Sequence, residues 1–394
     1  VPAIPSQHKF FLRDVLTLAL SAFGGPQAHI SIMLDLLVHR REYLTEKELM
    51  ELNALCQFLP GPTSTQTLTA IGMKLGGPRL ALLSLIVWIT PACLLMTMIA
   101  LMLHYIEGEG FELEVLRFVR PIAIGFITVA AYRLIRKLIT DRMTWFIMLF
   151  SILLSLTMTS SFIFPTVLLI GGLISNFWRK EEVEKEVYDL RKIRWRNLWI
   201  FAGIFILAIA LGNFGQLKAF LLFENIYRFG SLVFGGGQVL IPMMFEHFVQ
   251  VKEYMTTEQF LSGFGIAQAI PGPVFSFASY IGAMAFQERG QLMMLVGANI
   301  GTIGIFLPGT LLIFFIYPAW DELKKMRGVK RALSGLNAAA TGLVAAAAIL
   351  LMQPLGFSWL NIGIVAATFV LNYSLRVPPL IVVTLGLIGG LLVL

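Results

Sequence analysis

Apolar runs of about 20 residues, the length of helix that crosses a hydrocarbon core of about 30 Å, recur along the chain almost without pause. They predict helical spans at 14 to 38, 49 to 73, 80 to 104, 116 to 135, 143 to 159 and 163 to 178, and then at 197 to 213, 219 to 248, 258 to 285, 292 to 317, 332 to 352, 357 to 371 and 377 to 394. One long hydrophilic stretch, Arg179 to Arg196, separates the first six from the remaining seven. Several runs are short or are interrupted by glycine and proline, and no alternating ten-residue pattern suggests a barrel. His8, Lys9 and Arg13 ahead of the first run look like the start of a signal peptide, but no small-x-small site closes that run. A cytoplasmic end followed by the first span is expected there.

Composition narrows the class further. Even before glycine is counted, 57% of the 394 residues are hydrophobic, above the roughly 45–50% that soluble domains reach with glycine included. Charged residues make up 13% and the mean hydropathy is +0.79. A soluble enzyme is excluded, and a bilayer requires every backbone group to be satisfied internally, which leaves an all-α polytopic membrane protein. Its net charge of +7 reads as cytoplasmic Lys and Arg rather than as a nucleic-acid surface. Cys56 and Cys93 both lie in apolar runs and read as small core residues.

The chain also repeats itself. Phe23-Gly24-Gly25 and Gln27 match Phe234-Gly235-Gly236 and Gln238 at an offset of 211, as do Tyr43 and Thr45 with Tyr254 and Thr256, and Pro60-Gly61-Pro62 with Pro271-Gly272-Pro273. Pro91 pairs with Pro308, and Gly125 with Gly342, at an offset of 217. Matches kept in order through both halves point to duplication. The charge bias of equivalent loops then suggests inversion. The segment 105 to 114 carries Glu107, Glu109, Glu112 and Glu114, whereas its counterpart 319 to 331 carries Lys324, Lys325, Arg327, Lys330 and Arg331. The next pair reverses the bias, with Arg133, Arg136, Lys137 and Arg142 against the uncharged Gln353-Pro354-Leu355-Gly356.

The expected organisation is therefore two tandem inverted-topology repeats of about six spans, 1–178 and 219–394. They are joined over 179–218 by a charged cytoplasmic linker and a linker transmembrane helix, with the N-terminus cytoplasmic. Arg40 and Arg41 fit this orientation poorly, which makes a re-entrant or tilted pair of half-helices the alternative for the first span.

Within the apolar segments, the proline–glycine–proline triplets must interrupt the helical ladder. The break at Pro60-Gly61-Pro62 leaves free N–H groups at the start of a new half-helix. Thr63, Ser64, Thr65 and Gln66 follow it, so an oxyanion can be held there without a charged side chain. A proline kink filled by neighbouring helices is the competing reading. Recurrence at Gly272, followed by Val274, Phe275 and Ser276, favours a midplane transport site with broken helices in both halves. The first copy supplies most of the polar groups. Gly24, Gly25 and Gln27, with Gly235, Gly236 and Gln238, form a second pair of breaks, suited either to substrate contact and gating or to close helix packing.

Ionisable groups in or beside the spans mark pathways or partners, because their burial is costly. Asp35 and Glu246 are equivalent at offset 211 and have histidine neighbours, His29 and His39 or His247, so a proton relay and an interfacial ion pair both remain open. Arg120, just before Pro121, is the leading functional cation. Asn299, in mid-span, is either a ligand or a helix–helix contact. No phosphate loop, metal-ligand spacing or hydrolase motif is present, and neither a cofactor nor a catalytic residue is expected.

The segments Ser21 to His29, Arg41 to Glu46, Phe58 to Gln66, Phe234 to Gly237 and Ile270 to Pro273 together resemble the chromate ion transporter (CHR) family in its long two-domain form. The resemblance runs through both halves. It implies a multi-pass protein of a bacterial or archaeal inner membrane that exports chromate, with sulfate as a similar oxyanion, and its short linker argues against an extra soluble domain. The expected mechanism is alternating access driven by membrane potential or an ion gradient. A proton-coupled sulfate or other anion carrier and an anion channel are the alternatives. The lipid bilayer is an expected partner, nucleic acid is not, and a homodimer is a candidate assembly.

Overall fold

Sixteen α-helices and no strand are found among the described residues of the computed structural model, which are 6–57, 59–108, 113–158, 163–178, 196–215, 217–233, 237, 239–319 and 327–393. Helices α1 (Ser6–Ser21), α2 (Gly25–Met33), α3 (Glu46–Gln57) and α4 (Thr63–Gly108) are followed by α5 (Val119–Leu138), α6 (Arg142–Thr157) and α7 (Ile163–Trp178). Beyond the linker come α8 (Arg196–Gly215), α9 (Lys218–Leu232), α10 (Leu240–Phe245), α11 (Thr257–Ala267), α12 (Phe277–Met284) and α13 (Gln291–Ile316). The chain then forms α14 (Arg327–Leu355), α15 (Trp359–Phe369) and α16 (Pro379–Val393).

Four stretches, Thr63–Ile106, Glu114–Leu138, Gln291–Ile316 and Leu333–Leu355, are long and apolar enough to cross a membrane. Four of the runs are divided, as their glycine and proline interruptions lead one to expect. The 14 to 38 run is divided between α1 and α2 because Gly24 (φ 94°) and Gly25 (φ 81°) lie in the left-handed region and a proline opens the next helix. The 49 to 73 run is divided at Pro60-Gly61-Pro62, the 219 to 248 run between α9 and α10, and the 258 to 285 run at Pro271-Gly272-Pro273. The 49 to 73 and 80 to 104 runs stay distinct, because α4 is kinked at Gly76 (φ −155°, ψ 20°) and Gly77 (φ 70°, ψ −164°), where the backbone is not helical.

The same local conformations recur at the 211-residue offset. Helix α2 ends in a π-turn, Leu34–Arg40, and α10 in another, Glu246–Val251. Each is closed by a six-residue bond, Tyr43 N–H to Leu37 O and Tyr254 N–H to Phe248 O. Each is followed, two residues on, by a left-handed glutamate, Glu42 (φ 51°) and Glu253 (φ 50°). A non-glycine residue there costs about 1–2 kcal/mol, which the cap bonds offset. The following helices begin with matching capping boxes, Thr45 with Glu48 and Thr256 with Gln259. A third π-turn, Val370–Ser374, ends α15 in the same way, with Arg376 at φ 55°.

The chain forms two compact units, each drawing on both halves of the sequence. Unit 1 comprises 1–100, 189–231 and 270–324. In it α12 and α13 cross at glycine. A Cβ on Gly297 would lie 2.1 Å from the Gly282 carbonyl oxygen, and one on Gly301 2.1 Å from that of Ala278. Small residues let the backbones meet and gain dispersion contacts where lipid supplies no hydrophobic drive. Unit 2 comprises 101–188, 232–269 and 325–394, and there α14 packs in the same manner, with Gly335 on Gly171 and Gly342 on Met148. Large apolar side chains such as Leu153, Leu169, Leu173 and Phe177 remain exposed on α6 and α7 of unit 2, as a lipid-facing surface requires.

Candidate functional site

In unit 1, the first turn of α4 is assembled around Gly61. Its φ of 115° is available to glycine and strained for other residues. The Gln66 side chain folds back and donates from Nε2 to the Pro60 carbonyl at 2.7 Å, which fixes the turn. The first intrahelical bond of the new helix runs from Gln66 N–H to Pro62 O at 2.9 Å. The amides of Thr63, Ser64 and Thr65 therefore have no acceptor within the helix, and they sit at its positive end.

The side chains of this turn are buried, with Ser64, Thr65, Gln66, Thr67 and Thr69 all 3% exposed or less. Thr67 and Thr69 donate back to the carbonyls of Thr63 and Thr65, so they offer only lone pairs outward. The Thr65 hydroxyl accepts from Trp88 Nε1 at 3.0 Å. Ser64 Oγ is 3.0 Å from His29 Nδ1, and the His29 ring stands edge-on to Trp88 with centroids 5.3 Å apart. Two buried polar atoms here, His29 Nε2 and Gln66 Oε1, have no hydrogen-bond partner. Leaving such atoms dry costs about 1–3 kcal/mol each.

The other two breaks in unit 1 are linked to this turn through Ala22 and His29. At the second proline–glycine–proline triplet, Gly272 (φ 104°) donates its N–H to Ala22 O at 2.8 Å. Ala22 is the residue at which α1 ends, and its carbonyl is also a neighbour of the His29 ring. The break at Gly24 and Gly25 turns the chain from α1 into α2, and α2 carries His29. The contacts are reciprocal. A Cβ on Gly61 would come within 3.5 Å of Gly309, beside Pro308, and one on Gly272 within 2.9 Å of Ala92, beside Pro91. Ala92 and Gly309 are related by the same 217-residue offset as the two prolines. Ser276 is buried in the short turn Val274–Ser276 that leads into α12.

Thus Gly24, Gly25, His29, Gly61, Thr63, Ser64, Thr65, Gln66, Gly272 and Ser276 belong to one unit, and the three breaks are tied together by hydrogen bonds and close packing. The remaining candidates lie elsewhere. Asp35 is exposed and forms an ion pair with Arg40 at 2.7 Å. Arg120, at the start of α5, and Glu246, at the start of the second π-turn, belong to unit 2. Gly235, Gly236 and Gln238 lie outside the described residues, as does the Gln27 side chain. Asn299 is exposed and bonds to Leu295 O of its own helix.

Sequence reasoning missed three contributors. Trp88 gave no signal beyond its apolar run. Gly309 was visible only as the neighbour of Pro308. Asp14 is a buried carboxylate in α1 that accepts from Arg41 at 3.0 Å and from the Tyr43 hydroxyl at 2.7 Å. An acid within the first apolar run was the available signal. These bonds pair Arg41, while Arg40 is paired with Asp35, so neither poorly fitting arginine is an uncompensated charge.

Tyr43 lies in the loop outside the spans, and burial, aided by its bond to Asp14, pushes its pKa up to about 12. The sign follows directly. The folded protein holds the phenolic proton more tightly than the unfolded chain, so this stabilisation is complete below about pH 10 and is lost as pH rises through about 12. Tyr43→Phe is expected to lower stability by about 1–2 kcal/mol at neutral pH. It also removes the loss between about pH 10 and 12, which thermal melts of the two proteins across that range will read.

No solved structure matches the chain at a significant level. It is 26% identical over 396 residues to an uncharacterized transporter of Methanocaldococcus jannaschii, covering 99% of this chain and 95% of that one. It is also 26% identical to the chromate transport protein of Pseudomonas aeruginosa, covering 90% of this chain and 83% of that one. The same identity to the chromate transport protein of Cupriavidus metallidurans covers 96% and 91%. The model of the chromate transporter family matches residues 10–176 and 220–392, on both sides of the hydrophilic linker, and the chain belongs to that family.

Proposed function

We propose that the protein is a secondary carrier that exports chromate across the inner membrane by alternating access. The observation that carries this reading is the linkage of three helix breaks, through Ala22, His29 and Ser64, to the first turn of α4, where three consecutive amides have no intrahelical acceptor. A tetrahedral oxyanion fits such a turn through charge-assisted N–H bonds, each roughly twice as strong as a neutral one. The hydroxyl of Thr63 and the Ser64–His29 pair are placed to add donors, and Gln66 holds the turn open through Pro60. Gly272 and Ser276, from the second proline–glycine–proline break, complete the proposed site.

The reading includes an inverted duplication, supported by the matched π-turns, left-handed glutamates and reciprocal break contacts. Rocking of one half against the other exposes the site alternately. With an inside-negative potential, export is favoured by about 2.3 kcal/mol per charge per 100 mV. The resemblance also makes sulfate a competing substrate.

Radiolabelled chromate uptake into inverted vesicles, with and without a potential and with excess sulfate, tests the reading. Wild type is expected to accumulate chromate under a potential, and Thr63→Ala/Ser64→Ala to lose at least tenfold of that rate, about 1.4 kcal/mol of binding free energy. Absence of accumulation by wild type in active vesicles contradicts the chromate assignment. Wild-type flux in the double variant contradicts the site.

A further inference from the structure

Resting on that reading, we propose that the site takes the oxyanion together with one proton, carried by His29. A fully ionised tetrahedral dianion offers acceptors only, so a pocket shaped for it alone would present donors throughout. The pocket does not. Gln66 Oε1 is a buried acceptor without a partner, on the same turn as the three free amides. His29, 1% exposed, meets Ser64 through Nδ1 and leaves Nε2 without a partner.

The His29–Ser64 contact gives this arrangement two states. With a neutral ring protonated at Nε2, Ser64 donates to Nδ1 and its proton is committed to the ring. When the ring gains a proton at Nδ1, that N–H donates to Ser64 Oγ instead. The serine proton then turns outward, and both it and Nε2–H are available to an anion. One proton thus frees the Ser64 hydroxyl as a second donor beside Nε2–H and adds a positive charge beside the helix end. The groups facing the ring are Ser64 and Trp88 from α4 and the Ala22 carbonyl from the end of α1. Among the described residues no charged side chain forms a hydrogen bond or ion pair with the ring, so the bound anion is its counter-ion. Binding of proton and anion is mutually reinforcing, since linkage is reciprocal. The loaded carrier then moves one net negative charge rather than two.

The test uses the full chain in proteoliposomes at alkaline pH, equal on both sides, with a tenfold chromate gradient and the potential clamped. A proton–dianion complex comes to rest at a potential of about 59 mV, whereas a dianion alone rests at about 30 mV. Wild type is expected at about 59 mV, and an imposed pH gradient is expected to shift that value. His29→Gln, which keeps a donor toward Ser64, is expected at about 30 mV with no response to the pH gradient. Wild type resting at about 30 mV overturns the inference while leaving chromate transport intact, and wild type without any chromate flux overturns both. A variant that still rests at about 59 mV assigns the proton to the anion or to another residue and overturns the role of His29.

Chromate binding to purified protein provides the second readout. Wild-type affinity is expected to rise as pH falls, and that of His29→Gln to stay flat. A folded variant that binds no chromate at any pH overturns the assignment of the proton to His29.

Discussion

Alanine at Gly61 is expected to reduce chromate transport by at least tenfold in a protein that still folds. The φ of 115° places any L-residue in strained backbone, at a cost of about 1–3 kcal/mol. The added Cβ also lies 2.9 Å from Gln66 Nε2 and 3.5 Å from the Gly309 Cα. The clash falls on the bond between Gln66 and Pro60 that sets the direction of the three free amides. A shift of 1 Å in those amides is enough to lose oxyanion geometry, since hydrogen bonds weaken steeply off their line. Gly77→Ala is the control, because Gly77 is also left-handed, with φ 70°, yet its added Cβ meets nothing within 4 Å. It carries the strain without the clash. Transport close to wild type in Gly77→Ala, with loss in Gly61→Ala, separates site geometry from general backbone strain.

Gly297→Ala is expected to have the largest effect on stability. The Cβ would sit 2.1 Å from the Gly282 carbonyl oxygen and 2.7 Å from the Phe286 ring, and the first of these is backbone that no rotamer change can move. Helices α12 and α13 must separate by more than 1 Å, and overpacking of this kind costs about 3 kcal/mol or more. The same crossing holds α12, whose leading turn contains Ser276 and follows Gly272. Loss of folded protein in detergent, read by the temperature at which it aggregates, is therefore expected to precede any loss specific to transport. Gly203, whose added Cβ meets nothing within 4 Å, should accept alanine with little change.

The helix breaks of the candidate site are legible in the sequence because their signals are local. Proline cannot donate to the ladder, and glycine alone takes a left-handed φ without cost, so Gly24, Gly61 and Gly272 announced breaks before any fold was known. Matching triplets also paired the two halves. The partners of the breaks were not legible, because nothing local requires that Ala22 O receive Gly272 N–H or that Trp88 reach Thr65. Such contacts are set by which helices cross, and an apolar run says only that it is buried. The hydroxyl-rich stretch after Pro62 shows the same limit. The sequence marks Thr63, Ser64 and Thr65 as hydroxyl-bearing but does not show that the Thr65 hydroxyl accepts from Trp88 or that Ser64 meets His29.

The proposed oxyanion site lies at the first turn of α4. It is tested most directly by a structure of the full chain equilibrated with chromate, with chromium located by its anomalous scattering. A chromium peak is expected with its oxygens within hydrogen-bond distance of the Thr63, Ser64 and Thr65 amides and of His29 Nε2, displaced by excess sulfate. A peak elsewhere, such as beside Arg120 in unit 2, with the α4 turn vacant, would contradict it.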